Sequence, residues 1–143
     1  MDEVEATPMG TTDTPWIYEC DGRTEEGDDV GKWMLFYDNN VMDARWGKFK
    51  TLYRQNQLPG VISMKCSTAM ENPRASSNSN GVILFYCNNS EDEDAIMSIG
   101  TNIVSYANIN PWYYIYYKSN KQTRLGTRAT GVKKNWLYRT RVM

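Results

Sequence analysis

The run Val82-Ile83-Leu84-Phe85-Tyr86-Cys87 constrains this chain more than any other stretch. It is almost wholly apolar, rich in strand-forming types, and bounded by Asn80-Gly81 and Asn88-Asn89. Such a run reads as a central strand of a sheet. A sheet needs neighbours, and the sequence offers them. Trp33-Met34-Leu35-Phe36-Tyr37 reads as a first strand ending at Asp38-Asn39-Asn40, Val61 to Cys66 as a second, residues 112–118 as a fourth and Asn135 to Val142 as a last. Trp136, Tyr138 and Thr140 are expected on one face of that last strand.

Two segments between these runs carry the helical period. Met42, Trp46, Phe49 and Tyr53 fall on one face of a helix expected from Val41 to Gln57 and stopped by Pro59-Gly60. Ile96, Ile99, Ile103 and Val104 mark a second helix, for which Ser90 and Glu93 have the spacing of a capping box. The acids at 91–94 suit that helix start through the backbone dipole and need no catalytic role. Trp33, Trp46 and Trp112 are expected on core faces or strands. The order of elements predicts an α+β fold: a mainly antiparallel sheet with helices packed on one face.

Charge is unevenly spread. Residues 1–30 hold ten acids and one base, while the remaining 113 residues hold fifteen bases and seven acids. Residues 1–14 read as a disordered acidic leader. Residues 15–30 read as a docking segment, Pro15-Trp16-Ile17-Tyr18, followed by a connector, and 31–143 as a single domain. From Lys118 to Arg141 there are eight bases and no acid. Self-repulsion makes such a cluster unfavourable unless it is spread in solvent or meets an anion. Two readings therefore stand beside each other: a solvated loop that answers the acidic leader, and a site for a phosphate-bearing ligand flanked by aromatic rings on which bases can stack.

Catalytic chemistry is poorly supplied. The chain has no His, which removes Ser-His-Asp and Cys-His systems, and its Cys20, Cys66 and Cys87 lack metal-ligand spacing. Neither common glycine-rich phosphate-loop signature is present. A pair of carboxylates drawn from Asp38, Asp43 and Glu71 is the one remaining acid–base option. No apolar run is long enough to span a bilayer and no secretory signal pattern opens the chain, so a cytoplasmic location with nuclear access is expected.

Several short motifs recur in a recognisable order: Gly31-Lys32-Trp33-Met34-Leu35, Trp46, Gln57-Leu58, Met64-Lys65-Cys66-Ser67, Gly81 to Tyr86, Tyr116-Tyr117-Lys118, Thr123, Leu125-Gly126, Arg128, Trp136 and Tyr138. Over about residues 15–143 the chain resembles the basophilic leukaemia expressed protein (BLES-type) family, whose fold is like that of the mRNA cap-binding translation initiation factor. A fainter likeness to the cap-binding factor itself runs from Val82 to Gly126. The resemblance implies a curved sheet with helices on its convex face; together with the basic domain and its acid-free loop it points to a binding role, and the missing His, nucleophile and metal motifs make that role a non-enzymatic one with no cofactor or metal. In the cap-binding family two Trp rings sandwich a methylated guanine and bases grip its phosphates. The hairpin that carries those bases matches Lys65 and Arg74 here, while the two loop Trp and a Trp-Glu pair have no counterpart. Lys118, Lys121, Arg124 and Arg128 join Lys65 and Arg74 as candidate ligand contacts, with RNA or a nucleotide as partner. The alternative is a protein-interaction module whose partner uses Trp16-Ile17-Tyr18 or the helix faces.

Overall fold

The computed structural model describes residues 6–20, 27, 29–70, 79–125 and 136–141, with backbone only at 123–125. Its elements run β1 (Trp16–Cys20), β2 (Val30–Asp38), α1 (Asn39–Arg54), β3 (Ser63–Ser67), β4 (Asn80–Asn88), α2 (Glu93–Ser105), β5 (Ile115–Ser119), α3 (Asn120–Leu125) and β6 (Tyr138–Thr140). The strands form one curved, six-stranded sheet in the order β1-β3-β4-β2-β5-β6. Every pairing is antiparallel. The apolar run at 82–87 lies in β4, flanked by two strands on either side or more, as its composition requires.

Alternation of side chains along the strands sorts the residues onto two faces. One face carries Trp33, Leu35, Tyr37, Met64, Cys66, Ile83, Phe85, Cys87, Ile115 and Tyr117, all buried. Helix α1 lays Met42, Trp46 and Phe49 against it, and α2 adds Ile96, Ile103 and Val104. The Phe49 and Phe85 rings meet edge to face at 4.9 Å. Trp33 Nε1 donates to the carbonyl of Ile96 at 3.1 Å, which fastens α2 to the sheet. Gly100 makes that approach feasible, since a Cβ there would sit 2.4 Å from Trp33 Cζ2.

Local chemistry sets the element ends, in places differently from the sequence reading. Helix α1 starts at the Asp38 cap, whose side chain accepts from the Asn40 N–H. It ends before Pro59-Gly60. Asn56 adopts φ 60°, its N–H donates to the Tyr53 carbonyl and the Gln57 N–H donates to Leu52, a Schellman closure. For α2 the cap is Asp92, which accepts from the Ala95 N–H, and not Ser90. Ser90 is instead buried, with its hydroxyl 2.8 Å from that of Tyr117. The fourth strand begins at Ile115, so Trp112 lies outside it and is 76% exposed rather than in the core. Part of the expected basic loop is helix α3. Ser119 and Gln122 form its capping box: the Gln122 N–H donates to Ser119 Oγ and the Ser119 N–H to Gln122 Oε1, both at 3.0 Å.

The segment expected to dock, Trp16-Ile17-Tyr18, enters the sheet as edge strand β1. Ile17 packs against the helix-side core, and Glu19 forms a two-pronged ion pair with Arg54 of α1 at 2.7 and 2.9 Å. Residues ahead of it also make contacts: Pro8 is buried and accepts from the Ala69 N–H, and the Met9 N–H donates to Asp43.

Candidate functional site

The sheet's second face is covered by neither α1 nor α2, and its residues follow from the strand register. One row across it reads Tyr18, Lys65, Leu84, Met34, Tyr116 and Arg139. The next reads Ser63, Tyr86, Lys32 and Lys118. Val30, Ile62, Leu84 and Tyr86 form a small apolar cluster there, with Trp16, Met34 and Val82 against it. The rows contain four cations and no carboxylate.

Lys65 occupies the most elaborate position. Its ammonium lies 4.5 Å from the centroid of Trp16, 5.6 Å from Tyr86 and 5.9 Å from Tyr18. These distances are within the range of cation–π attraction. Lys32, only 8% exposed, approaches the same Tyr86 ring at 6.0 Å and pairs across the strands with Lys118. Tyr86 therefore separates two lysines. The sequence pointed to Lys65 and Lys118, and the register brings both onto this face. It did not name Lys32 or Tyr86 as contacts, and it gave Trp16 and Tyr18 to a docking segment. Their signal was alternation, since Lys32 and Tyr86 stand out of phase with the core positions Trp33 and Phe85. Lys121 is exposed on α3, just past the end of β5. Arg74, Arg128 and the side chain of Arg124 lie outside the described residues.

A second cluster lines the β5–β6 edge. The Arg139 guanidinium lies 4.2 Å from the Tyr114 centroid and 5.6 Å from Trp136. Arg141 lies 5.0 Å from Tyr114 and 5.6 Å from Trp112. Tyr116 is 6.5 Å from Tyr114 and 5.2 Å from Trp136. Trp136 thus keeps company with Tyr116 on the second face, whereas Tyr138 turns the other way and donates its hydroxyl to the Ser90 carbonyl at 2.7 Å. They do not share a face as expected, because β6 begins only at Tyr138 and alternation does not bind Trp136.

The acid–base option has other employment. Asp38 caps α1 and Asp43 accepts from Met9, while Glu71 lies outside the described residues. The buried thiols are poor nucleophiles: burial pushes Cys87 up to about 12 and raises Cys66 further, with the Asp43 carboxylate adding to the rise. Among the described residues no group of His, Cys, Asp and Glu is placed to hold a metal, and no helix is long and apolar enough to cross a membrane.

No protein-family model and no curated protein sequence matches the chain. Solved structures do. The chain is similar to the Ascaris suum eIF4E-3 in complex with an m7G cap, at 13% identity and TM-score 0.58, over 73% of this chain and 62% of that one. It is similar to a Schistosome eIF4E complexed with m7GpppG and 4E-BP, at 16% identity and TM-score 0.57, over 78% and 59%. The Ascaris suum eIF4E-3 with an m2,2,7G cap matches at 14% and 0.53, over 65% and 52%. The chain therefore has the α+β fold of the cap-binding translation initiation factor eIF4E. It spans 52–62% of the length of those neighbours.

Proposed function

We propose that this chain is a non-enzymatic binding domain for a phosphate-bearing ligand, RNA or a nucleotide, held on the sheet's second face. The observation that carries the reading is the meeting of Lys65, Lys32 and Lys118 with Trp16, Tyr18 and Tyr86 in two neighbouring rows that hold no acid. Lys65 and Lys118 supply contacts to phosphate oxygens and Trp16 and Tyr18 supply surface for a base, while Lys32 and Tyr86, 8% and 5% exposed, are buried beside them. Lys121, Arg74, Arg124 and Arg128 extend the same basic character as further candidate contacts. Solved neighbours that hold m7G or m2,2,7G caps support a nucleotide as ligand. The ordered motifs from Gly31 to Tyr138 support membership of the BLES-type family, and a cytoplasmic location with nuclear access accords with the same reading.

The test is a Trp-fluorescence titration with a cap analogue, simple nucleotides and a short single-stranded RNA at low and moderate salt. Binding should weaken as salt rises, with a log–log slope of about 0.7 for each phosphate contacted on a single strand. Lys65→Glu combined with Lys118→Glu should weaken binding and flatten that slope. Salt-insensitive binding, or an unchanged slope in the double variant, would remove this face as the phosphate site. The second reading, a protein-interaction module, is favoured by the neighbour complexed with 4E-BP. It takes precedence if none of the three ligands changes the fluorescence.

A further inference from the structure

We propose that the β5–β6 edge is a stacking ladder for single-stranded nucleic acid, so that the ligand is a run of nucleotides and not one free nucleotide. This deepens the phosphate-ligand reading and rests on it, but on different residues. Tyr114, Tyr116 and Trp136 follow one another at 6.5 and 5.2 Å between centroids, and Trp112 continues the set through Arg141. One nucleotide has one base and needs at most two rings. Four rings strung along an edge, tilted to one another and interleaved with two arginines, offer aromatic and guanidinium surface at successive points, on which any base can stack.

The two arginines fit the same ligand. Each guanidinium lies against two rings, Arg139 against Tyr114 and Trp136, Arg141 against Tyr114 and Trp112. A stacked guanidinium keeps its N–H edge directed away from the ring plane's faces, where it can bond phosphate oxygens. The acids that act on β6, Glu93, Glu91 and Asp92, do so at Tyr138, whose hydroxyl turns to Ser90 and away from the two arginines. Among the described residues Trp112 and Tyr113 are the most exposed large apolar side chains, at 76% and 65%. An exposed indole beside an arginine is costly surface for a chain to keep without a ligand that covers it.

Fluorescence anisotropy with labelled octauridylate on the full chain tests the ladder, with unlabelled tetrauridylate, uridine monophosphate and polyglutamate as competitors. Affinity should rise steeply from the mononucleotide to the octamer, and polyglutamate of equal charge should compete poorly because it has no bases. Trp112→Ala should weaken octamer binding on the order of tenfold. Arg139→Gln with Arg141→Gln should do the same and flatten the salt dependence, while competition by uridine monophosphate stays unchanged. The ladder is overturned if these variants bind the octamer as the wild type does, or if polyglutamate competes equally. If octamer binding survives them but falls in Lys65→Glu, the phosphate reading stands without the ladder. If neither oligomer nor mononucleotide binds, both fail. A deoxyribose octamer run in parallel identifies which sugar the ladder takes.

Discussion

Replacing Gly100 by alanine ought to stabilise an ordinary helix, and here it should do the opposite. Gly100 lies in the interior of α2, where alanine gains about 1 kcal/mol of helix propensity over glycine. Its new Cβ, however, would lie 2.4, 2.5 and 2.9 Å from three atoms of the Trp33 indole. Carbon atoms sit comfortably at about 3.5–4 Å, so ring and helix must separate by roughly 1 Å. Trp33 cannot swing aside easily, because it is fully buried, bonded to Ile96 and flanked by the Tyr117 ring at 5.6 Å. Overpacking of this kind costs about 1–3 kcal/mol, and loosening the indole hydrogen bond costs about 1 more. The net expectation is a loss of about 1–3 kcal/mol in urea unfolding with an unchanged m-value. The same substitution made in Trp33→Phe, where the outer indole atoms are gone, should be neutral or stabilising. A Gly100→Ala protein more stable than wild type, or equal effects in the two backgrounds, would refute the close-approach argument.

The buried thiols predict an alkaline limit. Cys87 is raised by burial from 9.0 to about 12, so between those values the unfolded chain releases a proton that the folded one keeps. Stability from this group is full below about pH 9 and falls as pH rises, by about 1.4 kcal/mol per unit. Cys87→Ala should lower the alkaline slope of urea stability by one proton's worth; equal slopes would contradict the assignment. Ser119→Ala removes the cap of α3 and should cost about 1 kcal/mol, with faster hydrogen exchange at residues 120–122. Unchanged exchange there would show that the box does not hold the helix.

Much of the fold was legible because the chain follows simple periods. β4 and β2 carry apolar runs, and Met42, Trp46 and Phe49 repeat at the helical spacing, so both types of element declare themselves. The misreadings occur where two local signals compete. Ser90 and Glu93 have capping-box spacing, yet Asp92 offers a carboxylate nearer the helix start, and Ser90 is drawn to the buried hydroxyl of Tyr117. Ser119 and Gln122 have the same spacing and do form the box, but they sit in a stretch whose charge drew the reading towards loop. Trp112 looked like core because it adjoins a strand of tyrosines. Only the later start of β5 puts it in water.

The site was half legible for a different reason. A candidate contact can be named without the fold: Lys118 came from the basic run it opens, and Lys65 from the resemblance of its hairpin to that of the cap-binding family. Which side chains join it depends on strand order, and order is not local. Trp16 and Lys65 are 49 positions apart in sequence, and Lys65 and Lys32 are 33 apart, yet all gather around Tyr86. They do so because β1 takes the edge beside β3, and β4 stands between β3 and β2. Once the order is known, parity does the rest: a residue out of phase with Trp33, Phe85 or Cys66 faces the second side. The helices cover the in-phase residues and leave the out-of-phase ones to find other partners. On this sheet those partners are lysines and arginines set against rings, an arrangement that the helix-side face shows at Arg45 over Tyr37 and that the second face repeats from β1 to β6.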